Sequence, residues 1–171
     1  NSMQKEFPNS VILCNIAGAS NAGLMQFEAA IESYKKALRI MPKYADAYYN
    51  MAIILDDNKD SDAAIESYKQ AIKIKPDFAE PYINMGIILK DKGDSEAAIN
   101  CFKQAIKIKP DFAEAQYNLG NIYHNVGQIN NAIEFYSKAI AIKNDYPIAH
   151  NNLGQILLEL GKLDNAIKHF E

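Results

Sequence analysis

Apolar side chains recur at alternating steps of three and four along most of this chain. Between residues 79 and 112, Tyr82, Met85, Gly86 and Leu89 form one stripe, Lys92-Gly93-Asp94 interrupts it, and Ala98, Ile99, Phe102, Ala105, Ile106 and Ile108 form a second. That spacing marks the apolar face of a helix, so the stretch predicts two helices joined by a short turn. No stretch sustains the two-residue alternation of a strand, and the fold class expected is all-α. The pair of stripes itself recurs. Pro42, Pro76 and Pro110 stand 34 residues apart, as do Ala30, Ala64, Ala98, Ala132 and Ala166. A period of this length that fixes several residue types marks a helical repeat array. Each hairpin of such an array buries its apolar face against its neighbours, which makes an α-solenoid. With the prolines as phase marker, the repeats run 11–44, 45–78, 79–112, 113–146 and a shortened 147–171. Pro8 lies one period before Pro42, so residues 1–10 are expected to end an earlier repeat, and the chain to be a piece of a longer array.

Small and large residues alternate in a way that suits close helix packing. Gly18, Gly86, Gly120 and Gly154 share one phase, with Ala52 in the second repeat, and Tyr34, Tyr68, Phe102, Tyr136 and Phe170 share another. A glycine inside a helix costs about 1 kcal/mol against alanine. Its recurrence at one phase therefore predicts that a bulky ring of the partner helix needs the space. Gly93, Gly127 and Gly161 fall where each first helix must end, in the left-handed conformation glycine tolerates. Asp60 and Asp94 follow as N-caps of second helices. Asp77 and Asp111, with Glu80 and Glu114 three residues on, are expected to form capping boxes for the next first helices. Pro81 and Pro147 fit in first turns, where a missing N–H is tolerated.

These phased residues resemble the tetratricopeptide repeat, most fully in Met85, Gly86, Leu89, Ala98, Phe102, Ala105 and Pro110, and again in Leu119, Gly120, Tyr123, Ala132, Tyr136 and Ala139. The resemblance covers almost the whole chain and implies antiparallel helix pairs stacked into a right-handed superhelix. The first repeat departs from the pattern. Asn21 stands at a large apolar position and Met25 at the turn glycine, so its first helix is expected to be less regular. Asn144 stands where the fourth repeat should have its proline.

Composition narrows the function. The formal net charge of −3 gives no basic excess, so no nucleic-acid partner is expected. No apolar stretch approaches the ~20 residues that span a bilayer, so no membrane partner is expected either. Cys14 and Cys101 lie in different repeats at packing positions and suggest two free thiols, which mildly favours a reducing, cytoplasmic compartment. The shortened ends suggest end-to-end self-association. His150 and His169 sit at packing phases and His124 stands alone, so no metal site is expected. No nucleophile motif or phosphate-cradling loop appears, and neither catalysis nor a cofactor is expected.

The resemblance further implies that first helices line a concave groove that binds a protein or peptide. The groove candidates are Tyr49, Asn50, Asn84, Ile87, Tyr117, Asn118, Asn121, His124, Asn125, Asn151 and Asn152. Asn50, Asn84, Asn118 and Asn152 repeat at the same phase, similar to the asparagine ladder in the repeat region of O-linked N-acetylglucosamine transferase. An amide offers both donor and acceptor to a peptide backbone; equally, it pairs within or between helices. The places that clamp a C-terminal carboxylate in chaperone-adaptor members carry Asn15, Ala19, Asn50, Glu80 and Asn84, without the basic residues that task needs. Lysines concentrate on second helices and carboxylates on first helices, either as a mildly acidic groove or as two solvated faces. The leading expectation is a non-catalytic interaction scaffold. The alternative is the substrate-presenting region of a larger transferase.

Overall fold

The computed structural model describes residues 10–170. Among them it contains ten helices and no strand. Apart from Ser10, the expected end of an earlier repeat lies outside the described residues. The chain divides into two compact units that meet between Ile88 and Leu89. The N-terminal unit holds α1 (Val11–Gly23), α2 (Phe27–Ile40), α3 (Ala45–Asp57), α4 (Ser61–Ile74) and most of α5 (Ala79–Asp91). The C-terminal unit holds the end of α5, then α6 (Ser95–Ile108), α7 (Ala113–Asn125), α8 (Ile129–Ile142), α9 (Pro147–Glu159) and α10 (Leu163–Phe170). In the first unit α1 packs on α2 and α3 on α4; in the second α7 packs on α8 and α9 on α10.

Each of these four hairpins closes over a small residue. A methyl group added at Gly18 would stand 2.6 Å from the Tyr34 ring, one at Gly120 2.6 Å from Tyr136, and one at Gly154 2.7 Å from Phe170. Such distances leave no room for any side chain, and at Gly18 and Gly120 the helical cost of glycine is offset by a buried ring, whereas Phe170 stays half-exposed. In α3 the same phase is met by Ala52, which is fully buried, as is Tyr68 on α4. The C-terminal core gathers Ala132, Tyr136, Leu153, Ile156, Leu157 and Ala166.

The turns inside the hairpins share one geometry. Met25, Lys59, Gly93, Gly127 and Gly161 take φ of 57°, 66°, 84°, 74° and 71°. After α7, Gly127 N donates to His124 O at 3.0 Å and Gln128 N to Tyr123 O at 2.8 Å, the paired bonds of a Schellman motif. After α1 the same pair runs from Met25 N to Ala22 O and from Gln26 N to Asn21 O, each 2.9 Å. The motif thus forms whether or not its left-handed residue is glycine.

Capping follows the sequence in part. Asp60 Oδ1 accepts from Ala63 N at 3.2 Å and Asp94 Oδ1 from Ala97 N at 3.0 Å. The capping box expected at Asp111 does not form. Lys109-Pro110-Asp111-Phe112 closes as a turn, with Phe112 N donating to Lys109 O at 3.2 Å, and Phe112 becomes the N-cap of α7 without a side-chain cap bond. Asp77 is likewise taken into a turn, closed by Phe78 N to Lys75 O at 3.1 Å, with α5 starting at Ala79. The turn consumes the aspartate one residue too early for it to reach the helix.

The first helix is also more regular than expected. It has 13 residues, as α3, α5, α7 and α9 have, and Ser10 caps it by accepting from Leu13 N at 3.3 Å. Asn21, at an apolar position, keeps the hairpin closed by donating to Ser33 Oγ at 3.4 Å. Cys14 and Cys101 are both free and buried. Burial, and then the Asp94 charge, push the Cys101 thiol up to about 11, so it stays protonated and inert.

Candidate functional site

The groove candidates separate by unit. In the N-terminal unit Tyr49, Asn50, Asn84 and Ile87 are all half-buried. Asn84 Nδ2 lies 3.5 Å from Tyr49 Oη, one period and one residue earlier in the chain. The Tyr49 ring packs at 4.9 Å against Phe78 and at 6.0 Å against Tyr68. Burial raises the Tyr68 phenol well above its usual range, with the hydrogen bond from Asn84 pulling the other way.

In the C-terminal unit the corresponding corner is a connected network. Tyr136 Oη donates to Asn121 Oδ1 at 2.7 Å. Asn152 Nδ2 reaches the same Asn121 oxygen at 3.3 Å and Tyr117 Oη at 3.3 Å. The Tyr117 ring lies 5.8 Å from Tyr136 and 5.3 Å from Tyr146. Burial pushes the Tyr136 phenol up to about 12, so it is a fixed donor at neutral pH. Because Tyr136 is anchored by its ring against Gly120, the network starts from a rigid point.

This network floors an open cavity of about 430 Å³, lined by Lys90, Asp91, Asn121, His124, Asn125, Tyr136, Asn152 and Gln155. Four of the candidates, Asn121, His124, Asn125 and Asn152, therefore meet in one place, from α7 and α9. Lys90 and Asp91 stand 3.3 Å apart at its rim and balance each other's charge. The remaining lining is amide, imidazole and phenol. Such a surface carries donors and acceptors in similar number but no unpaired charge, which suits neutral polar groups better than a carboxylate.

Three candidates stand elsewhere. Asn118 is only 5% exposed, and its Nδ2 donates to Glu114 O at 3.0 Å. Its phase is that of Asn152, but its amide is spent on its own helix. Tyr117 supports the network from the side. Asn151 is exposed and lines a second cavity, of about 590 Å³, beside His150 and His169.

Three side chains are not marked as functional by the sequence. Tyr136 stands at a packing phase, although a tyrosine where Phe102 and Phe170 suffice signals a use for its hydroxyl. His150 and His169 also stand at packing phases. They meet, with Nδ1 atoms 3.1 Å apart across α9 and α10. Their separation of 19 residues matches no helical period, so sequence spacing carried no signal for it.

The comparisons with known proteins agree with this architecture. A family model described as TPR repeat matches residues 26–58, 86–127 and 120–161, and models described as tetratricopeptide repeat match 45–78 and 67–100. Among solved structures, the crystal structure of MamA aligns with a TM-score of 0.81 at 30% identity, over 90% of this chain and 90% of that one. The structure of pilF from Pseudomonas aeruginosa aligns at 0.84 with 20% identity, over 93% of this chain and 72% of that one. YrrB, described as a TPR protein with an unusual peptide-binding site, aligns at 0.76 with 17% identity, over 98% and 87%. These last two share the fold alone. No curated protein matches the sequence significantly.

Proposed function

The chain belongs to the tetratricopeptide repeat family, and on that premise we propose that it is a non-catalytic interaction module that holds an extended peptide segment in the amide-lined cavity of its C-terminal unit. The observation that carries this reading is the convergence of Asn121, His124, Asn125, Asn152 and Gln155 on one open cavity floored by a buried tyrosine. An extended peptide presents alternating N–H and C=O groups, and side-chain amides satisfy both. Asn84, facing Tyr49 in the N-terminal unit, offers a second such amide there. Asn118, whose amide is held by the Glu114 carbonyl, has no role in this reading.

The test starts from peptides selected from a random displayed library on the purified chain, with affinity read by fluorescence anisotropy. The triple variant His124→Ala, Asn125→Ala, Gln155→Ala leaves the Tyr136 network in place. Losing three hydrogen bonds of about 0.5–1.5 kcal/mol each is expected to weaken binding by at least tenfold. Changing Lys35 and Arg39 to alanine, on α2, is expected to leave affinity unaltered. Undiminished binding by the triple variant would rule the cavity out as the peptide site.

A further inference from the structure

His150 and His169 form a pair that nothing in the peptide-binding reading uses. His150 projects from the first turn of α9 and His169 from the last turn of α10. Their Nδ1 atoms are 3.1 Å apart, with ring centroids at 5.2 Å and planes inclined by 49°. His150 Nε2 lies 3.0 Å from the Asn144 carbonyl oxygen. A carbonyl accepts only, so Nε2 carries the His150 proton and its Nδ1 presents a lone pair towards His169. Fixing one ring nitrogen on a carbonyl so that the other is free for a metal is the arrangement that orients histidine ligands in metalloproteins.

We propose that His150 and His169 chelate a divalent late transition-metal ion through their two Nδ1 atoms. Nitrogen ligands at about 2.0–2.1 Å from such an ion are separated by about 2.9 Å at a right angle and about 3.4 Å at a tetrahedral angle. The observed 3.1 Å falls between them. His169 needs only to move its Nδ1 proton to Nε2 through water, so both rings bind as neutral imidazoles without a change in net charge. Imidazole pairs suit Zn²⁺, Ni²⁺ and Cu²⁺ rather than Mg²⁺ or Ca²⁺. The pair opens on the cavity of about 590 Å³, which Asp145 and Lys168 also line. Among the described residues no cluster of three or more His, Cys, Asp or Glu groups is placed to hold a metal. Water therefore fills the remaining positions, and the ion ties α9 to α10 as a clip.

The experiment is a calorimetric titration of the purified, untagged chain with ZnCl₂ at pH 7.5, with MgCl₂ as the control ion. One equivalent of Zn²⁺ is expected to bind saturably, and Mg²⁺ not at all. His150→Gln and His169→Gln should each weaken Zn²⁺ binding by at least tenfold, while His124→Gln leaves it within twofold. Long-range ¹H–¹⁵N spectra of the unaltered chain provide a reading that needs no variant: on Zn²⁺ addition both Nδ1 resonances, and neither Nε2, should move to metal-bound positions. Absence of saturable binding, Nε2 ligation, or a smaller loss in the glutamine variants would overturn the proposal.

Discussion

The two units differ at a recurring position of the first helices: Ala19, Ile53 and Ile87 in the N-terminal unit, Asn121 and Gln155 in the C-terminal unit. The backbone around it is alike, with first helices of 13 residues in both. Where isoleucine stands, Asn84 reaches Tyr49 at 3.5 Å and bonds to Tyr68. Where Asn121 stands, three bonds at 2.7, 3.3 and 3.3 Å join Tyr117, Tyr136 and Asn152. In the C-terminal unit this position therefore adds an amide, Asn121, to a tyrosine–asparagine contact that both units share. The scaffold places the position; the residue type decides its chemistry.

The most damaging way to break this contrast is Tyr136→Ala. It removes a fully buried ring from Gly120 and the donor from Asn121, and should cost about 3–5 kcal/mol in urea unfolding. Tyr136→Phe, which keeps the ring, should cost only about 0.5–1.5 kcal/mol. A similar loss from both variants would mean that the ring does not anchor the corner. Next in size, Asn121→Ile makes the C-terminal corner resemble the N-terminal one. It leaves the buried Tyr136 hydroxyl short of its acceptor, at about 1–3 kcal/mol. It should also weaken the selected peptide by about tenfold, equivalent to 1.4 kcal/mol.

The turns offer a finer comparison, since the N-terminal unit uses Met25 and Lys59 where the C-terminal unit uses glycine. Gly127→Lys should destabilise by about 1–2 kcal/mol, because a side chain resists positive φ. Met25→Gly and Lys59→Gly should each stabilise by up to about 1 kcal/mol by the same argument reversed. Thermal unfolding measures all three.

The smallest effect is a dependence on pH. The three histidines all lie in the C-terminal unit. The folded state resists protonating His169, so the associated stability is fully present above about pH 6.5 and is lost as pH falls through the window below it. Among the described residues, Asp145 and Lys168 are the other charged groups that line the cavity beside the pair. Hydrogen exchange in α10, corrected for intrinsic rates, should quicken between pH 7 and 5.5 relative to α4. His169→Gln should flatten that difference.

Much of this was legible in the sequence because it is local or periodic. The steps of three and four, the 34-residue recurrence and the pairing of Gly18 with Tyr34 or Gly120 with Tyr136 follow from helix geometry and volume. Asp60 and Asp94 cap as read, since a cap involves only the next three residues. Asp111 does not, because Pro110 closes a turn around it first, a competition between two local motifs that the spacing could not rank.

The sequence by itself settled the helical repeat and the phase of each residue, because period and residue size fix the direction in which each side chain leaves its helix. Tertiary structure alone decided what those side chains then met. It turned Asn118 onto the Glu114 carbonyl but Asn152 towards Tyr117, and it brought His150 to His169. A hydrogen bond depends on a few tenths of an ångström and on the choice of rotamer, and neither is a property of position along the chain.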